Sequence, residues 1–199
     1  MMATTHALAG LLLGALTLLV APELAPAAML AGFAGGLFPD LDLYGNHRKT
    51  LHFPVYYSVA TVPALGLAIL VPTAQSVGLA TFLLAAALHS VTDIFGGGLE
   101  LRPWEGTSER AVYSHYHGRW LRPRRWVTYD GSPTDLALAS TFALPLLLVE
   151  WSVVDPLVTV ALGISGLYTV VRKHLPDVAE TLTGAIPAQI RPYVPERYL

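Results

Sequence analysis

Gln75-Ser-Val-Gly-Leu-Ala-Thr-Phe-Leu-Leu-Ala-Ala-Ala-Leu-His89-Ser-Val-Thr-Asp93-Ile-Phe95 decides the fold. It is an apolar run that, coiled as a helix at 1.5 Å per residue, reaches about 31 Å, the thickness of a bilayer's hydrocarbon core. Its only ionisable groups, His89 and Asp93, lie near one end. Working outward, five more apolar runs surround it, near residues 4 to 21, 25 to 38, 54 to 72, 134 to 151 and 155 to 171. The second is bounded by Pro26 and Pro39 and is the shortest. Composition agrees with this reading. Of 199 residues, 53% are hydrophobic and only 13% charged, with a mean hydropathy of +0.51. A soluble domain carries about 25% charged residues, so an ordinary water-soluble globule is excluded. The expected fold is all-α: a polytopic membrane bundle of about six transmembrane helices.

Every Lys and Arg falls in the two long connections, 39–53 and 97–132, or in the tail: Arg48 and Lys49; Arg102, Arg110, Arg119, Arg122, Arg124 and Arg125; Arg172, Lys173, Arg191 and Arg197. The short connections carry none. Six spans put all the basic segments on one face, which the positive-inside bias assigns to the cytoplasm together with both termini. Glu23, Glu150 and Asp155 then face outward. Residues 1–173 form a single transmembrane domain, and 174–199 a surface tail of amphipathic character. Residues 1–28 have some features of a secretory signal but no positive start, so the first run is expected to remain as a span. With no cysteine, thiolate metal sites and cysteine nucleophiles are excluded.

Ionisable side chains at membrane depth are costly and mark functional sites. Here they gather at the cytoplasmic ends of four stretches: His6; Asp40 and Asp42; His47, Arg48 and His52; His89 and Asp93. His89 and Asp93, four apart, share a helix face. Asp40 and Asp42 follow Pro39, where extended backbone would aim both carboxylates the same way. His6, Asp40, Asp42, His47, His52, His89 and Asp93 together make a mixed nitrogen and oxygen donor set suited to zinc, manganese or iron, as one ion or two. Taken singly, each group has a plainer role, as a hydrogen-bonded pair, a helix stop or a basic loop. Their convergence at one depth favours a divalent metal site. Such an ion activates water for hydrolysis; Asp42 and His52 are candidates for proton transfer, and Arg48 suits an anionic oxygen. The location makes membrane lipid a partner, and a phosphoester or lipid-linked compound the expected substrate.

These residues resemble, in order, the YdjM-type family of membrane-bound metal-dependent hydrolases. The resemblance rests on Thr5-His6, Pro39-Asp40-Leu41-Asp42, His47-Arg48 with His52, and His89 with Asp93, and it covers residues 5 to 93. The family pattern His-Arg-x-x-Thr-His-Ser is altered here, with Leu51 and Phe53 replacing Thr and Ser. More distantly, Gly35 to Asp40 and His89 to Asp93 are similar to motifs of zinc-dependent phospholipase C, which implies phosphoester chemistry. The loop 97–132 interleaves arginines with Trp104, Tyr113, Tyr116, Trp120, Trp126 and Tyr129, as expected of a segment among headgroups. The alternation around Val112 to Trp120, with His117-Gly118 at a turn, predicts a short β-hairpin carrying His115 and His117 close to the site. The positive-inside rule accounts for the arginines without a nucleic-acid partner. The competing classes are a transporter and a scaffold with a structural metal or polar network.

Overall fold

The computed structural model describes residues 1–149, 151–185, 187 and 189; Glu150, Arg191, Arg197 and the rest of the tail lie outside the described residues. The chain is mostly helical, with α1 (Ala3–Ala15), α2 (Ala25–Leu37), α3 (Pro54–Leu70), α4 (Ala74–Thr92), α5 (Pro133–Leu146), α6 (Val154–Val171) and α7 (Leu175–Gly184). One antiparallel hairpin, β1 (Val112–Ser114) and β2 (Arg119–Leu121), pairs Tyr113 with Trp120. Gly118 sits at its turn with φ +61°. Helices occupy all six apolar runs, but their lengths differ from the sequence expectation. Three described segments, Pro22–Leu43, Ala74–Phe95 and Val154–Val171, are long and apolar enough to cross a membrane. Ala3–Leu19 and Pro54–Leu70 are shorter apolar helices, and α5 has 14 residues. Proline shapes some of these limits: Pro22 opens the turn leading into α2, and Pro145 sits in the last turn of α5.

The start of α1 and the end of α2 meet the end of α4, the start of α5 and the end of α6, and His52, two residues before α3, lies against His89 and Asp93 at the same end. His6 contacts Asp93, His89 contacts the Gly36 carbonyl, Thr5 contacts Asp135, and Thr4 contacts Ser165. The six helices therefore run alternately up and down, with both long loops and α7 at one end. Asp135 anchors that end. One oxygen accepts Thr5 Oγ1 at 2.8 Å, and the other accepts the Met2 and Gly131 backbone N–H groups at 2.7 and 3.1 Å. Its own N–H donates to the helix cap Ser132.

Glycine sets the spacing of α1 and α2. A Cβ on Gly10 would strike the Gly32 carbonyl, one on Gly14 the Ala28 carbonyl, and one on Gly36 the His6 carbonyl. Gly10–Gly14 and Gly32–Gly36 are thus small-residue pairs, four apart, that let two backbones touch. The close approach carries His6 to the last turn of α2. Leu8, Leu11 and Met29 then pack on Leu146, Val154 and Val158 as the core. Outward faces remain apolar, with Leu19, Ile69, Leu70, Leu148 and Val170 all strongly exposed. Such continuous exposed apolar surface marks contact with lipid or another apolar partner.

Candidate metal centre

Asp40 and Asp42 follow α2 on a 3₁₀ turn, Phe38–Tyr44, in place of the extended backbone expected from Pro39. Proline is tolerated in the first turn of such a helix. At three residues per turn, positions two apart point about 240° around the axis from one another. The two carboxylates consequently diverge. Asp40 faces His89 and His52, whereas Asp42 turns toward the loop at residues 47–52.

Four donors come together: Asp40, His52, His89 and Asp93, with one ligand atom from each, all within 4.8 Å of one another. His89 Nε2 lies 3.4 Å from Asp40 Oδ1 and 3.7 Å from Asp93 Oδ2; His52 Nε2 lies 3.7 and 3.5 Å from the same oxygens. These separations exceed a hydrogen bond. They approach the edge of a tetrahedron, about 3.3–3.4 Å for donors about 2.0–2.1 Å from a central zinc. Both Nε2 atoms are buried and lack a hydrogen-bond partner among the described residues. An orphaned buried polar atom costs about 1–3 kcal/mol, and a cation would satisfy two that are aimed at the same pair of carboxylates. The cluster could hold a metal ion.

The opposite ring nitrogens fix the histidines for that role. His89 Nδ1 donates to the Gly36 carbonyl at 2.6 Å and His52 Nδ1 to Asp42 Oδ2 at 3.0 Å, so in the neutral ring each Nε2 carries the lone pair. Asp42 also accepts Leu51 N–H on Oδ2, and His47 Nδ1 and Arg48 N–H on Oδ1. All its lone pairs are thereby engaged. Asp42 and His47, both in the sequence-based ligand set, hold His52 in place from outside the four-donor cluster. His6, a third expected ligand, instead directs Nε2 at Asp93 Oδ1 at 2.9 Å and stacks on His89 at 3.8 Å between ring centroids. The same Asp93 oxygen receives the Met1 amino group at 2.7 Å.

Arg48 has φ +58°, and its carbonyl is held by the Tyr113 N–H of the hairpin. Its guanidinium donates to the Gly97 carbonyl at 2.8 Å and lies 3.3 Å from Asp93 Oδ2. Burial opposes that charge, but Asp93, aided by Asp130 and Asp40, overrules it and raises the Arg48 pKa. Burial lowers the His47 pKa despite the Asp42 bond. It would lower His52 as well, yet the Asp42 hydrogen bond and the neighbouring Asp93 carboxylate lift that group to about 8, so an ion binding at Nε2 would displace a proton. The hairpin histidines stop short of the cluster: His115 Nε2 donates to the Lys49 carbonyl, and His117 pairs with Ser114. The hairpin acts on the ligand-bearing loop, through backbone bonds and through Lys49 over the Tyr113 ring at 4.5 Å.

A cavity of about 440 Å³ adjoins the cluster, bounded by Asp40, His47 and Arg48 on one side and by Ile164, Leu175 and Ala179 on another. Of the four clustered donors, Asp40 alone reaches the cavity wall. Its side chain is 12% exposed, against 0–1% for the other three. Sequence reasoning missed Asp135, although Ser132-Pro-Thr-Asp135 is a recognisable helix start, and Glu100, for which no motif exists. No family model, curated protein or solved structure matches the chain.

Proposed function

We propose that the chain is a membrane-embedded, metal-dependent hydrolase whose site lies at the cytoplasmic face and whose substrate is a phosphoester, lipid-linked or lipid-derived. The observation that supports this best is the pair of orphaned Nε2 atoms on His52 and His89, facing Asp40 and Asp93 next to a cavity. Two imidazoles and two carboxylates suit zinc first, then manganese or iron. A bound divalent ion would supply Lewis-acid polarisation and acidify water. Arg48 supplies a fixed cation at the cavity wall for an anionic oxygen. Asp42 keeps the His52 tautomer, and His6 steadies Asp93. The likeness to YdjM-type hydrolases agrees with this reading, as does the alternation of six helices with basic loops gathered at one end. Multi-pass insertion with cytoplasmic termini belongs to the same proposal.

The test is metal content by mass spectrometry on detergent-purified protein, comparing wild type with Asp40→Ala and His89→Ala variants that remain folded, followed by phosphoester hydrolysis. One equivalent of metal, depleted in both variants, with activity that depends on it, is the expected result. A wild type that takes up no zinc, manganese or iron after reconstitution defeats the proposal and leaves a polar network joining helices. Bound metal without hydrolysis of any phosphoester favours a structural role.

A further inference from the structure

Glu100 lies in the loop after Gly96-Gly97-Gly98, on the wall of the same cavity as Asp40 and Arg48. Both its carboxylate oxygens are buried and have no hydrogen-bond partner among the described residues. Gly98 makes the space, since a Cβ there would collide with the Glu100 carboxylate and the Ser108 carbonyl. Nearby cations are committed elsewhere. Arg172 is paired with Asp130 and Arg102 with Asp177 and Glu180, while Arg125 turns Nη2 to the Gly106 and Ser108 carbonyls and leaves Nε unpaired; among the described residues none of these forms an ion pair with Glu100. Burying a carboxylate without a donor is expensive, so the missing partner is expected to come from a ligand.

The charges around the cavity indicate which ligand. The carboxylates of Asp40 and Asp93 would cancel a divalent ion, and Asp42 is enclosed by two imidazoles and two backbone N–H groups. Arg48 is then the cation offered at the metal end, and Glu100 the anion offered by the loop. Apolar side chains, Leu99, Leu101, Ile164 and Leu175, complete the wall, and Ile164 is also 53% exposed on the outer face of α6. The cavity therefore borders apolar outer surface.

We infer that Glu100 is a cation-binding residue that selects a zwitterionic phosphoester, with the phosphate toward Arg48 and the metal and an ammonium group at Glu100. The phosphate half of this assignment rests on the hydrolase reading; the ammonium half rests on Glu100 alone. Ethanolamine phosphate is small enough to enter a 440 Å³ space.

The experiment is calorimetric binding to the full chain in detergent, with and without zinc, using phosphoethanolamine, glycerol phosphate and ethanolamine as probes. Wild type should bind phosphoethanolamine about tenfold or more tightly over glycerol phosphate. Glu100→Gln should abolish that preference, and Glu100→Asp should restore part of it, with zinc stoichiometry unchanged in both and no fall in thermal midpoint for Glu100→Gln. If zinc fails to bind, the hydrolase reading falls, but Glu100-dependent ethanolamine binding still upholds the cation site. Equal affinities in wild type overturn the assignment. So does a preference that survives in Glu100→Gln, or a second zinc equivalent that this variant removes. Nanodiscs resolve the source of the headgroup. Faster hydrolysis of phosphatidylethanolamine than of phosphatidylglycerol assigns it to lipid, and a preference confined to the soluble ester assigns it to free phosphoethanolamine; both uphold the cation site.

Discussion

Replacing Asp42 with Asn tests the arrangement behind the metal centre while leaving every clustered donor in place. Asp42 accepts four hydrogen bonds: His47 Nδ1 at 2.9 Å and Arg48 N–H at 3.3 Å on one oxygen, His52 Nδ1 at 3.0 Å and Leu51 N–H at 3.1 Å on the other. An amide keeps one acceptor and turns the other into a donor. If the NH₂ faces His52, that ring must accept through Nδ1 and carry its hydrogen on Nε2, in the position required for ligation. If it faces His47, the Arg48 N–H loses its acceptor, and the loop bearing His52 loosens. Loss of a partner that orients a metal ligand typically costs 10–100-fold in metal affinity, or about 1.4–2.7 kcal/mol. Competition with a chromophoric zinc chelator measures this directly. The expected result is one zinc equivalent with affinity weakened within that range. An Asp42→Asn protein that binds zinc as tightly as wild type would refute the assigned tautomer and the role given to Asp42.

Five further outcomes are expected. Gly10→Ala should destabilise by about 1–3 kcal/mol, because its Cβ meets the Gly32 carbonyl. Gly163→Ala, with open space around the new methyl and a helical site, should be neutral or stabilising by up to about 1 kcal/mol in thermal unfolding. The Asp130–Arg172 pair should support stability at neutral pH: burial pushes the Asp130 carboxyl up, but Arg172 and Tyr168 outweigh it and leave it below the usual value. That contribution is fully present above about pH 4 and fades as pH falls through the depressed native value. Asp130→Asn should cost about 1–3 kcal/mol at pH 7, with the gap from wild type closing in strong acid. Stripping the metal with a chelator should lower the thermal midpoint reversibly, by the equivalent of about 4 kcal/mol at a thousandfold excess of ion over Kd. Since the chain has no native cysteine, Arg119→Cys and Ser152→Cys give single labelling sites, expected on opposite membrane faces; labelling of both from one face would refute the six-span topology.

Hydropathy made the helices legible, because a long apolar run leaves the backbone little alternative to coiling. It also made legible the end of the helices at which His and Asp gather. Ligand choice was less accessible. Whether Asp42 binds an ion or holds His52 depends on a change of about 160° in ψ between a 3₁₀ turn and a strand, and Pro39, which fixes φ alone, permits both. His6 was recognised as belonging to the site, but only packing shows that Gly36 brings its ring onto His89 and Asp93. The spacing Gly10-x-x-x-Gly14 and Gly32-x-x-x-Gly36 was a usable signal for that packing. Glu100 carried none, since its significance lies in the partners that its neighbours have already taken.

The exposure of Asp40 separates an enzyme from a metal-stapled scaffold. Zinc sites closed by four protein donors are structural, whereas catalytic sites keep a position for water or substrate and can expand to five ligands. Here three donors are sealed, and the fourth forms cavity wall. Any opening must therefore occur beside Asp40 or by its displacement. Asp40→Asn preserves shape and removes one charge. On the hydrolase reading, His52, His89 and Asp93 still hold zinc more weakly, the thermal midpoint at saturating zinc stays close to wild type, and hydrolysis is lost. On a structural reading, all four donors carry the fold, so the variant should melt where chelated wild type melts, whatever zinc is added. Measuring both midpoints across a zinc titration distinguishes the two, because a structural site couples stability to the fourth ligand and an open site does not.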